Sequence, residues 1–69
     1  MAVTTGKNGV GIALRAVRLA AGMTLRDVSG AANISYTYLS NVENGNVEPS
    51  AKWVHMVIET IGQHIEDAA

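Results

Sequence analysis

The chain has 69 residues, no cysteine, no phenylalanine, one tryptophan and a formal net charge of −1. A chain of this length buries only about 60% of its unfolded surface, so it builds one small core and has no interior to spare for a large active-site cavity. Disulfide staples, thiolate catalysis and cysteine-ligated zinc are excluded, and no apolar run nears the roughly 20 residues that span a bilayer. In chain order, residues 1–8 (Met1 to Asn8) form a polar arm without periodicity, in which Lys7 either meets phosphate or is simply solvated. The arm lacks the charged-then-apolar order of a signal peptide, so a cytoplasmic location is expected. From Gly9 the apolar residues Val10, Leu14, Val17 and Ala21 recur at helical spacing until Gly22, a natural C-terminal cap. They predict the first helix. Thr24 then stands at an N-cap position with Asp27 three residues on, a shorter version of the capping-box acid. It opens a second helix whose buried stripe is Leu25, Val28 and Ala32. Asn33 tolerates the left-handed backbone of a tight turn and ends this helix, with Ile34 as the anchor of the turn. Ser35 is a second N-cap, and Tyr36 to Glu43 make a third helix that Asn44-Gly45 stops. After the loop Asn46 to Pro49, Ser50 caps a fourth helix with Trp53, Val54, Val57, Ile58 and Ile61 on its apolar face and Gly62 closing it.

The expected fold is therefore an all-α bundle of four short helices in one domain, residues 9–62. The tail, residues 63–69, either extends the last helix or frays. A small chain without staples gains stability by associating, so a homodimer is expected, with Met56, Ile58, Ile65 and the tail as its seam. Charge is uneven along the chain. Residues 1–32 hold Lys7, Arg15, Arg18 and Arg26 against Asp27, a balance of +3, and residues 33–69 hold Lys52 against Glu43, Glu48, Glu59, Glu66 and Asp67, a balance of −4. The basic half is suited to facing a polyanion.

Helix three is unusually polar. At about 100° per residue, Tyr38, Leu39 and Val42 share one side, and Tyr36, Thr37, Ser40 and Asn41 share the other. Hydroxyls and an amide without charge are the groups that read base edges in a major groove, since Asn pairs with adenine and Thr offers a methyl to the thymine methyl. An ordinary solvated face has the same composition. No enzyme is expected. His55 and His64 are nine residues apart with no HExxH arrangement, no nucleophile elbow is present, and Gly6-Lys7-Asn8-Gly9 is too short for a phosphate loop. No metal or cofactor is implied.

The run Arg18, Gly22-Met23-Thr24-Leu25, Val28, Ala32-Asn33-Ile34-Ser35, Tyr38-Leu39-Ser40, Glu43-Asn44-Gly45 and Pro49-Ser50, followed by an apolar helix to Ile61-Gly62, closely resembles the Cro and C1 repressor-type (XRE) helix-turn-helix family. The resemblance covers about residues 10–62. It implies a lambda-repressor-like four- or five-helix domain that binds a partly palindromic double-stranded DNA operator as a dimer, in a regulator of phage or mobile-element type. Carried over by position, Tyr36, Thr37 and Asn41 fall at base-reading places, with Ser40 beside them. Thr24, Asn44 and Asn46 fall at backbone-contacting places, where Arg26 and Ser35 add a cation and a helix N-terminus. Arg18 and Glu43 are implied to be an ion pair tying helix one to helix three. An antitoxin or other protein-binding module of the same fold, with a toxin or phage protein as its partner, is the rival reading. Two positions depart from the pattern. Leu25 replaces a frequent glutamine that clamps phosphate and braces the recognition helix, and Glu48 lies in a loop that is often basic. Modest, salt-sensitive affinity follows, with Lys7, Arg15, Arg26 and Lys52 as the compensating cations.

Overall fold

A computed structural model describes residues 7–68 of the chain, with side chains from Gly9 onward. It contains four helices, α1 (Lys7–Ala20), α2 (Leu25–Ala32), α3 (Tyr36–Glu43) and α4 (Ala51–Ala68). Their ends follow from local chemistry. Thr24 and Asp27 make a reciprocal capping box: the Asp27 amide donates to the Thr24 hydroxyl oxygen at 3.0 Å, and the Thr24 amide donates to the Asp27 carboxylate at 2.9 Å. Ser35 Oγ accepts from the Tyr38 amide and Ser50 Oγ from the Trp53 amide, each at 3.1 Å, so α3 and α4 start on the same device. At the other ends the chain turns left-handed, at Gly22 (φ 72°), Asn33 (φ 56°) and Gly45 (φ 78°). The amide that follows each of these residues reaches back to a late carbonyl of the helix before it: Met23 to Arg18 (3.1 Å), Ile34 to Ser29 (3.0 Å) and Asn46 to Asn41 (2.9 Å).

Helices α1 and α2 each pack on both α3 and α4. Where the four meet, Leu14, Met23, Val28, Leu39, Val42, Val57 and Ile61 form the buried core. Tyr38 and Trp53 join α3 to α4 edge to face, with ring centroids 5.1 Å apart at 75°.

Three expectations are corrected by this packing. The inward face of α1 is Gly11, Leu14 and Arg18, while Val10 and Val17 are 37% and 36% exposed, at its rim. The apolar repeat misjudged the rotation of α1 because its closest contact needs a residue without a side chain and one of its two buried side chains is an arginine. A Cβ on Gly11 would overlap the Val42 carbonyl oxygen and come within 3.0 Å of the Glu43 carbonyl oxygen, so glycine lets α1 cross the end of α3 at backbone distance. Second, α1 already begins at Lys7; residues 1–6 and the Lys7 side chain lie outside the described residues. Third, α4 passes through Gly62 to Ala68, with the Gln63 amide donating to Asp67 at 3.3 Å one turn on. Met56 packs half-buried against the core, whereas Ile58 and Ile65 are exposed.

Candidate nucleic-acid interface

Helix α3 is held from below by an ion pair. The Arg18 guanidinium donates through Nε and one terminal nitrogen to the two Glu43 carboxylate oxygens, both at 2.8 Å, and through its other terminal nitrogen to the Met23 carbonyl at 3.0 Å. The two side chains are only 9% and 5% exposed, and every buried polar side-chain atom among the described residues has a partner. Hydrogen bonding to Glu43 holds the Arg18 pKa above its ordinary value, so the guanidinium is charged throughout any accessible pH. Glu43 therefore faces inward and braces α1 against the end of α3. It is not part of the outward surface.

With Leu39 and Val42 fully buried below, the opposite side of α3 faces outward. Tyr36 and Thr37 are exposed at its start, and Ser40 and Asn41 are half-buried one turn later. The first amides of a helix have no acceptor within it, so the Tyr36 and Thr37 N–H groups are open at the same end. No acid stands in this first turn. The uncharged start of α3 is thus a patch of donors and acceptors with a mildly positive dipole end.

Of the residues assigned to phosphate, Thr24, Arg26, Ser35, Asn44 and Asn46 are all exposed. Thr24 and Ser35 use their hydroxyl oxygens as caps, so what they offer outward is a hydroxyl proton and neighbouring amides. Asp27 beside them accepts a hydrogen bond from the Thr24 backbone amide, which keeps its carboxyl below the ordinary aspartate pKa. A full negative charge therefore stands at the start of α2. Leu25 is half-buried and packs on the core, which gives a physical account of its departure from glutamine: the position is used for packing.

Sequence reasoning missed one contact here. The Arg26 guanidinium carbon lies 5.1 Å from the centroid of the Tyr36 ring, so the start of α2 is tied to the start of α3. Thr24, Leu25, Arg26 and Tyr36 line one shallow surface groove with Leu19 and Met23. An arginine and a tyrosine on successive first turns were the available signal, but only the crossing of the two helices says that they meet. Arg15 and Lys52 are exposed on α1 and α4, outside this groove. Among the described residues no group of three or more His, Cys, Asp or Glu is placed to hold a metal ion, and no helix is long and apolar enough to cross a membrane.

Two short capped helices about a three-residue turn, the second with a buried apolar side and an open polar side, define a helix-turn-helix. The chain belongs to the helix-turn-helix domain family, whose pattern matches residues 10–68. It is 39% identical over 54 residues to the HTH-type transcriptional regulator DdrOP3 of Deinococcus deserti, a match covering 78% of this chain and 42% of that protein. It is 49% identical over 43 residues to the transcriptional regulator ClgR of Mycobacterium tuberculosis, covering 62% of this chain and 38% of that one. The chain thus spans about two fifths of the length of these curated relatives. No solved structure matches it significantly.

Proposed function

We propose that the chain reads double-stranded DNA in sequence-specific fashion as a transcriptional regulator, acting in the cytoplasm, with α3 lying in the major groove. The observation that carries this reading is the open, uncharged polar face of α3, set on a buried ion pair and two apolar anchors. Tyr36, Thr37, Ser40 and Asn41 supply the base-edge contacts. Exposed Thr24, Arg26, Ser35, Asn44 and Asn46 flank that face and supply backbone contacts, which fix register without reading sequence. Lys7 is added to this set on sequence position alone. The relatives' names as transcriptional regulators support DNA over a protein partner as the main ligand.

A two-fold arrangement accompanies the reading: two copies on a partly palindromic operator, with half-sites about 10 base pairs apart centre to centre. Exposed Ile58 and Ile65 on α4 support association with a second copy. The charges of α4 support it too. Lys52 stands in the first turn and Glu66 and Asp67 in the last, which opposes the helix's own dipole but matches an antiparallel copy of the same helix. Selection of bound sequences from a random double-stranded pool tests both parts. A palindromic motif is the expected result, whereas no enrichment over the input pool refutes DNA reading and a single asymmetric half-site refutes the two-fold.

A further inference from the structure

We propose that Arg26 and Tyr36 act as one unit that reads a guanine, Tyr36 serving as the platform and Arg26 as the reading group. The inference rests on the DNA-binding reading above and reassigns these two residues within it, Arg26 from phosphate to base and Tyr36 from base to support. The two residues come from different helices, and their 5.1 Å separation is inside the roughly 6 Å range of a cation–π contact. The guanidinium carbon lies over the ring. A guanidinium that meets a ring with its flat face keeps its five N–H donors in the plane, so the fork is open for a pair of acceptors. Neither described ion pair involves Arg26: Glu43 is held by Arg18, and Glu59 lies beside His55. The neighbouring Asp27 carboxylate is engaged by the Thr24 amide.

A planar fork recognises two acceptors side by side, and DNA presents them as guanine N7 and O6 or as two phosphate oxygens. Two features of the site favour guanine. The ring under Arg26 belongs to the polar face of α3, together with Thr37 and Asn41, so the guanidinium is anchored to the face that meets bases. Exposed Asp27, next to Arg26 in the first turn of α2, adds a carboxylate on that turn, which disfavours a phosphate there. The stack also restricts a long side chain before binding, which lowers the entropy lost when the fork engages. The guanine is accordingly the base met by the N-terminal end of α3.

The test repeats the pool selection and a titration at several salt concentrations with the whole chain and its Arg26→Ala, Arg26→Lys, Tyr36→Ala and Tyr36→Phe variants. The wild type is expected to select guanine at one position of each half-site. Arg26→Ala and Tyr36→Ala lose that preference at the same position, by about 5- to 150-fold in affinity. Tyr36→Phe keeps it, because the ring is intact, and Arg26→Lys loses it while retaining the salt dependence. If Arg26→Ala instead weakens all sequences alike and lowers the salt slope by about one, Arg26 is a phosphate contact and the proposal falls. Tyr36→Ala with an unchanged guanine preference overturns it equally. A measurement without DNA scores the stack itself: the Arg26 δ-methylene protons are shifted upfield by the ring in the free wild type and move downfield in Tyr36→Ala. Absence of that shift refutes the platform even if DNA binding stands, whereas a wild type with the shift but no selected DNA locates the failure in the DNA-binding reading.

Discussion

Replacing Glu43 by alanine removes the acceptor of both 2.8 Å hydrogen bonds from Arg18 and leaves a guanidinium whose side chain is only 9% exposed. What remains for it is the Met23 carbonyl, one neutral acceptor for a cation in a low-dielectric site. Breaking such a pair from one side typically costs about 3–5 kcal/mol, because the stranded charge must stay buried or drag the helix open. A 69-residue domain has about 3–10 kcal/mol in total, so the loss takes a third or more of the stability. Thermal unfolding by far-ultraviolet circular dichroism should show Tm lower by about 12–40 °C, at about 4–8 °C per kcal/mol for a domain of this size. DNA binding falls with it, through disorder at the end of α3. The double variant Arg18→Met with Glu43→Leu removes both charges and keeps apolar volume. It should be more stable than either single alanine variant, although the Met23 carbonyl loses its donor at about 1–3 kcal/mol. A Glu43→Ala loss below about 1 kcal/mol would place the pair with exposed ion pairs and refute the argument. So would a double variant no better than the singles.

Gly11→Ala pushes a methyl against the Val42 carbonyl and separates α1 from α3. A loss of about 1–3 kcal/mol in urea unfolding is expected, and a variant as stable as the wild type would show that the helices give way freely. The lowered Asp27 pKa means that its capping contribution is fully present above the unfolded-state value of about 3.9 and is lost as pH falls through the lower folded value. Asp27→Asn should therefore flatten the fall in stability as pH drops below about 4, and an acid limb identical to the wild type's would contradict this. Thr37→Ala and Asn41→Ala should weaken specific binding by about 1–3 kcal/mol at fixed salt, with melting temperature nearly unchanged for exposed Thr37 and slightly lowered for half-buried Asn41. Gly62→Ala should raise stability by about 0.5–1 kcal/mol, since a Cβ there meets nothing within 4 Å and glycine is a poor helix former; a drop in Tm would argue against a continuous α4.

The limits of α2 and α3 were legible in the sequence because they depend on atoms a few residues apart. Thr24 with Asp27, Ser35 with the Tyr38 amide, and left-handed Asn33 are all closed within one turn, so residue type and spacing state the geometry directly. The division of α3 into Leu39 and Val42 below and Thr37 and Asn41 above followed from the same short-range period. Rotation of α1 was not available this way, since apolar spacing favoured Val10 and Val17 over the Gly11, Leu14 and Arg18 face that the crossing with α3 selects. Gly62 shows the converse limit. Glycine favours a helix end but does not require one, and here the backbone stays right-handed through it.

For the candidate site, the sequence by itself determined which residue types stand on the outward side of α3 and at the helix starts that flank it. It also suggested, through family likeness, that Arg18 and Glu43 belong together. Only the tertiary structure decided that Arg18 takes Met23 as a third partner and that Arg26 lies on the Tyr36 ring. Those contacts depend on the angle and distance at which one helix crosses another. Crossing geometry is a property of all the side chains at the contact together, and no local pattern along the chain encodes it.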